Sequence, residues 1–297
     1  MGAAVPPTRR ARSWAFRILR ILLVPYLVLL AAMWFLQEWL IFPGRDSQGQ
    51  PSAVISEPGE GAELVRLKTL AGVGIVALFG CAWTPDGKPL PDAATRPTLL
   101  YCYGNAMHLR ECLYTLDDFR RLGVNVMIPE YEGFGMSEGS AGEQGCYAAA
   151  EAAWRHLRGR KDVDPARIVA SGWSLGSAVA VDLAARHPEV AGLAVFSAFT
   201  RMADVAGREY PFVPVSLLLR HRFDSESKLP SVGCPVFFAQ GAEDELIPFE
   251  MQERLAQASK GPVTRFLVER GDHNGLFVAG GEPLRQALRA FLEGAAR

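Results

Sequence analysis

The sequence predicts an α/β fold: a mostly parallel eight-stranded sheet with helices on both faces, preceded by one N-terminal transmembrane helix. Three observations lead there. From residue 98 onward, short apolar strand signals alternate with helix-favouring stretches, the pattern of a parallel sheet covered on both sides. One such unit joins its strand to its helix through Gly172-Trp173-Ser174-Leu175-Gly176. Near the N-terminus, Ile21–Leu36 is an uncharged apolar run with arginines on its leading flank.

That N-terminal run is the first element. Arg9, Arg10, Arg12, Arg17 and Arg20 precede it, Pro25 alone breaks it, and residues 37–42 extend it with an aromatic flank. The run is slightly short of the roughly 20 residues a spanning helix needs, and Trp14–Ile18 or Trp39–Phe42 fills the length. Aromatic residues at both ends suit the membrane interfaces, and the arginine flank predicts a cytoplasmic N-terminus with the remainder across the membrane. A cleaved signal peptide, leaving a secreted or periplasmic protein, is the rival reading. No convincing small-x-small cleavage site follows Leu36, so an uncleaved anchor is favoured. Residues 1–20 are therefore read as a basic segment, 21–42 as the anchor and 43–60 as a polar, Gly/Pro-rich linker.

Residues 61–297 form the expected catalytic domain. It opens with two antiparallel-looking strands near 62–70 and 74–83. Strands then fall near 98–103, 124–129, 167–171, 191–196, 235–240 and 263–268. Helices lie near 108–122, 143–159, 175–187, 248–259 and 282–295. A short insert at 200–232 carries Tyr210-Pro211-Phe212-Val213-Pro214 and Leu217-Leu218-Leu219. It is read either as an apolar lid or as a short helix packed on the sheet edge.

The chemistry centres on residues 172–176. Gly-x-Ser-x-Gly alone is weak, because both residue types are common. Between a buried strand and a helix it describes a sharp turn that lifts Ser174 into the open at a helix N-terminus. A serine hydroxyl is inert at neutral pH without a base and an orienting acid. In such a fold they follow in the order acid, then histidine. Of the five histidines, His108 and His156 precede the serine, His187 sits before a proline at a helix end, and His221 lies in a basic run and looks solvated. His273 remains, in the loop Gly271-Asp272-His273-Asn274-Gly275 just past a strand's carboxyl end, where ligands gather in open parallel sheets. Asp244, in the turn after the strand at 235–240, is the candidate acid, with Glu243 and Glu245 as local rivals. Asp272 reads as a turn-stabilising residue. Two backbone N–H donors must face the developing oxyanion. Leu175, after the nucleophile, and Asn105, in the turn after strand 98–103, are the candidates. Tyr103, Phe199 and Phe249 are candidate substrate contacts.

With these pieces in place, the chain resembles the α/β-hydrolase superfamily, and within it the membrane-anchored abhydrolase-domain serine hydrolases. Their characterised members include lysophospholipid and monoacylglycerol lipases and protein deacylases. The matching segments are Tyr103-Gly104-Asn105-Ala106, Tyr131-Glu132-Gly133-Phe134-Gly135-Met136-Ser137, Gly172–Gly176, Phe196-Ser197-Ala198-Phe199-Thr200, Gly241-Ala242-Glu243-Asp244-Glu245-Leu246-Ile247-Pro248 and Gly271-Asp272-His273-Asn274. The resemblance implies an α/β-hydrolase fold, a Ser174–Asp244–His273 triad and oxyanion donors at Asn105 and Leu175. It also has two departures. Tyr103 stands where the family usually has His, and Glu130-Tyr131-Glu132-Gly133 where it often reads Asp-Tyr-Arg-Gly.

Composition narrows the class. A net charge of −1 with no basic face argues against nucleic acid as a partner. The five cysteines form no CxxC pair, so neither a metal-ligand spacing nor a disulfide framework is expected. The expected function is a cofactor-independent, membrane-anchored serine hydrolase acting on a carboxylic ester or thioester, with a small-molecule acyl ester or a lipid as substrate. A peptidase or amidase on the same fold, and a non-catalytic membrane scaffold, are the alternatives.

Overall fold

The structure, a computed structural model, describes residues 9–295. Eight strands form one sheet: β1 (Ala62–Lys68), β2 (Gly74–Gly80), β3 (Thr98–Cys102), β4 (Asn125–Pro129), β5 (Ile168–Trp173), β6 (Gly192–Phe196), β7 (Val236–Gly241) and β8 (Val263–Val268). Their spatial order is β1-β2-β4-β3-β5-β6-β7-β8. β1 pairs antiparallel with β2 and β2 antiparallel with β4, while β4 through β8 run parallel. The helices are α1 (Arg9–Ile41), α2 (Leu113–Arg120), α3 (Glu143–Gly159), α4 (Leu175–Arg186), α5 (Met202–Glu209), α6 (Val215–Leu218), α7 (Ser225–Lys228), α8 (Phe249–Ala258) and α9 (Leu276–Ala295).

The central strands are apolar at consecutive positions because both of their faces are covered. Alternate residues divide between two cores. Leu99, Tyr101, Phe196 and Phe237 meet Phe119 of α2 and Leu288 and Leu292 of α9 on one side. Leu100, Ala170, Val195 and Phe238 meet Trp154 of α3, Val181 of α4 and Leu255 of α8 on the other. The solvent-facing edge β1 alternates instead, as a half-buried strand should.

The strand order reverses between β3 and β5, so the crevice past their carboxyl ends is the natural ligand position. Cys102 of β3 registers with Gly172 of β5. That pairing sets the turn after β3 directly beside the turn after β5.

The helix expected over 282–295 begins earlier, at Leu276, and is interrupted where Gly281 takes a left-handed φ of 49° just before Pro283. The helix expected over 108–122 is a short 3-10 turn, Leu109–Cys112, followed by α2. The N-terminal helix is longer than the apolar run and extends back to Arg9. Among the described residues, one helical segment, Leu19–Ile41, is long and apolar enough to cross a membrane, a test that a signal sequence also passes.

The segment after it, expected as a polar, Gly/Pro-rich linker, is docked. Gly44 N–H donates to the Asn105 carbonyl at 3.0 Å, and a Cβ at Gly44 would meet the Phe134 ring at 2.4 Å. Phe42, Ala53 and Ile55 are buried. Their apolar side chains, spaced among polar residues, hold the strap against the domain. His221, read as solvated, is largely buried: its ring packs edge-on against Phe42 and its Nδ1 accepts from the Glu143 N–H at the start of α3. The flanking charge of Arg220 is taken up by Glu38, which also faces His221 Nε2 at 4.0 Å, so the basic run does not leave His221 in solvent.

Candidate active site

Ser174 sits between β5 and α4 with φ 53° and ψ −120°, a conformation that non-glycine residues avoid. Packing enforces it. A Cβ on Gly172 would lie 2.0 Å from the Gly176 carbonyl oxygen, and one on Gly176 would lie 2.0 Å from that of Cys102. Both positions therefore require glycine, and the strand and helix close into a tight turn that aims the serine outward. The Ser174 N–H is fixed by the Phe196 carbonyl of β6 at 3.0 Å.

Two more loops converge on this turn. The ends of β7 and β8 approach so closely that a Cβ on Gly241 would reach the Gly271 carbonyl oxygen at 2.0 Å. This contact draws together the turns that carry Asp244 and His273. His273 Nε2 lies 2.9 Å from Ser174 Oγ, and its Nδ1 lies 2.9 Å from Asp244 Oδ2. The histidine loop is held from below by Trp173, whose indole N–H donates to the His273 carbonyl at 3.2 Å. Gly104 is part of the same packing, since a Cβ there would enter the Trp173 ring at 2.6 Å.

The Asp244 side chain is fully shielded from solvent. Its Oδ1 accepts from the Ile247 N–H at 2.8 Å, and its Oδ2 accepts from Gln240 Nε2 at 3.0 Å. A buried carboxylate needs such donors. Gln240, fully buried at the end of β7, was not anticipated; the signal available was a lone amide in an otherwise apolar strand. The rivals Glu243 and Glu245 are exposed. Asp272 accepts from the Gly275 N–H at 2.5 Å, closing its own turn.

Asn105 and Leu175 line a cavity with Ser174. Among the described residues, the backbone N–H groups of Asn105 and Leu175 donate to no acceptor, which leaves both free for a ligand oxygen. The Asn105 side chain instead donates to the Ile41 carbonyl at the end of α1 at 3.0 Å. The cavity holds about 230 Å³ and is walled by Phe199, Val213, Leu218 and Ile247 from the domain and by Met33 and Leu40 from α1. Its lining is mainly apolar, which suits a hydrocarbon group.

Two expected substrate contacts lie elsewhere. Tyr103 is buried beneath the turn that carries Asn105 and donates its hydroxyl to Glu130 Oε1 at 3.1 Å. Phe249 opens α8 and is absent from the cavity wall; Leu246 and Ile247, just before it, line the cavity instead. Tyr103 and Glu130, one residue from each sequence departure, form one device. Glu130 also accepts from the Leu109 and Met136 N–H groups at 2.6 and 3.1 Å. Burial pushes the Glu130 carboxyl pKa up, against the lowering effect of these donors. Burial likewise raises Tyr103 well above the ordinary phenol value, with Glu130 adding to the shift, so the hydroxyl stays a donor. Glu132 is not aimed at Ser174: its side chain lies beside Gly139 and Gly145.

The family model described as serine aminopeptidase, S33, matches residues 93–224. The chain is 36% identical to an uncharacterized protein of Mycobacterium tuberculosis over 204 residues, covering 69% of this chain and 72% of that one. It is 32% identical to the α/β hydrolase domain-containing protein 17C of Xenopus laevis over 254 residues, covering 78% and 74% of the two. Among solved structures, the Pyrococcus furiosus esterase Pf2001 superposes with a TM-score of 0.65 at 14% identity, covering 82% of this chain and 96% of that one. At that identity the likeness speaks for the fold.

Proposed function

The chain belongs to the α/β-hydrolase superfamily, and from that premise we propose that it is a membrane-anchored serine hydrolase of carboxylic esters or thioesters. One observation carries the reading: the unbroken run Asp244–His273–Ser174, with both links at 2.9 Å, opens onto an apolar cavity. In the proposed reaction Ser174 Oγ bonds to the acyl carbon as its proton passes to His273 Nε2. Asp244 accepts from Nδ1–H, fixing the ring and stabilising the imidazolium. The Asn105 and Leu175 N–H groups hold the oxyanion. Collapse breaks the bond to the leaving alcohol or thiol, which takes the proton from His273. Water then adds by the same path, releases the carboxylate and restores Ser174. No step calls for a cofactor, and α1 is read as the anchor, N-terminus cytoplasmic.

The test is initial-rate hydrolysis of p-nitrophenyl esters from acetate to palmitate by the full chain in lipid nanodiscs. Serine-dependent turnover, lost in Ser174→Ala and His273→Ala, is expected; turnover unchanged in both variants would overturn the reading. Amide hydrolysis is the second reading, favoured by the exposed carboxylate of Glu209 at the cavity rim, where a substrate ammonium could pair. Matched aminoacyl-p-nitroanilides distinguish the two.

A further inference from the structure

The N-terminal helix is more than a tether. Between Leu19 and Ile41 the residues of α1 that lose exposure are Leu30, Ala32, Met33, Gln37, Glu38 and Ile41, and the helical spacing of Leu30, Met33, Gln37 and Ile41 defines one docked face. Gln37 is buried and bonded at both ends of its amide: Nε2 donates to the Leu218 carbonyl at 3.3 Å, and Oε1 accepts from the Arg220 N–H at 2.8 Å. A lone amide in a membrane-type helix is thereby satisfied by the insert that roofs Ser174. Met33, Gln37, Leu40 and Ile41 line the Ser174 cavity itself.

The insert runs along this helix toward its middle. Tyr26 donates its hydroxyl to the Phe212 carbonyl at 2.8 Å. The polar end of the helix is marked by Glu38, paired with Arg220 at 3.2 Å and Arg45 at 3.5 Å. There Arg45 lies over the Trp39 ring at 4.6 Å and Arg220 over Trp34 at 5.6 Å. Arginine with tryptophan at a helix end belongs at the headgroup level. Tyr26 is twelve residues deeper than Glu38, about 18 Å at the α-helical rise. With Glu38 in the headgroup layer, that depth reaches about to the midplane of a roughly 30 Å hydrocarbon core. Phe212 at 86% exposure and Leu217 at 80% present bare apolar side chains in this insert. Residues 210–219 hold no charge, which resumes at Glu209 and Arg220.

We propose that residues 210–219 are immersed in one bilayer leaflet beside α1, and that the acyl chain of a membrane-resident substrate enters the Ser174 cavity sideways, between insert and helix. This rests on the serine hydrolase reading above and adds the substrate class: long-chain acyl esters or thioesters embedded in the bilayer. The occupant of the bare apolar surface is lipid, because that surface is continuous with the exposed sides of the anchor helix.

The experiment compares the full chain with the double variant Phe212→Glu/Leu217→Glu in nanodiscs, on two substrates. One is water-soluble p-nitrophenyl acetate; the other is a palmitoyl ester carried in the bilayer. Neither altered residue lines the cavity, so acetate turnover is expected to hold within about twofold and reports folding. Palmitoyl turnover should fall about tenfold or more, because carboxylates resist the hydrocarbon. Equal rates on the palmitoyl ester would overturn the proposal. So would a Phe212→Cys variant whose attached fluorophore escapes quenching by acyl-chain doxyl lipids, including where both rates fall together. Absence of serine-dependent turnover on either substrate by the wild-type chain would strike the hydrolase reading instead.

Discussion

The Asn105 side chain donates to the Ile41 carbonyl at 3.0 Å, tying the turn beside Ser174 to the last residue of the N-terminal helix. The return bond, from the Gly44 N–H to the Asn105 carbonyl, doubles the clamp. Position 105 thus has two separable parts: a backbone N–H that the proposed reaction gives to the oxyanion, and a side chain that fixes where that N–H points. Asn105→Ala keeps the first and removes the second. Its kcat is expected to fall about tenfold, the scale of one interaction of roughly 1.4 kcal/mol, with KM little changed. Steady-state kinetics decide it, and a loss confined to KM would assign the clamp to substrate binding.

Tyr103 and Glu130 form the floor under that turn. Tyr103→Phe leaves a buried carboxylate short of one donor, which costs about 1–3 kcal/mol. Thermal denaturation should show a lowered Tm, and turnover should drop with it because Gly104 and Asn105 follow directly in the chain. An unchanged Tm would mean that Glu130 is satisfied by the Leu109 and Met136 N–H groups alone.

Gln240 holds Asp244 from outside the cavity lining. Gln240→Leu removes the donor to Oδ2, the same oxygen that faces His273. Its pH–rate profile should shift relative to wild type as the aspartate's hold on the imidazole changes, an effect that a purely structural lesion would not produce. A profile that keeps its midpoints while the amplitude falls would reduce Gln240 to packing.

His221 is expected to make the insert's seat sensitive to acid. Burial lowers its pKa, outweighing the pull of the Glu38 and Glu143 carboxylates. The folded state then binds fewer protons than the unfolded state, so stability is complete above the ordinary histidine value of about 6.5 and declines as pH falls through it. The Tm should drop between pH 7.5 and 5.5, and His221→Phe, which keeps the apolar ring, should flatten that slope. An equal slope in the variant would place the acid sensitivity elsewhere.

Much of this architecture was legible because it is local. Eight strands and the turn at Ser174 follow from apolar runs, glycines and spacing, all within a few residues of each other. The relation of Ser174, Asp244 and His273 was reachable through chain order. What escaped is what crosses the sheet or joins distant segments. Gln240 looked like a strand residue, Tyr103 like a substrate contact and the stretch after Phe42 like a tether. Tyr103 and the strap meet partners many residues away, at Glu130 and at Asn105, while Gln240 reaches Asp244 only four residues on, around a turn; no periodicity announces any of the three. The docking of α1 was hidden for the same reason: its apolar sides look alike in sequence, and Gln37 stands apart only by polarity.

The most direct test is to find the nucleophile that a fluorophosphonate phosphonylates. The full chain in nanodiscs, treated with a fluorophosphonate and digested, should yield one adduct by mass spectrometry, on the peptide bearing Ser174. Labelling should vanish in Ser174→Ala and slow by orders of magnitude in His273→Ala, in proportion to the loss of the base. An adduct at another residue, or labelling that persists in folded Ser174→Ala, would contradict the assignment of the nucleophile and the reaction built on it.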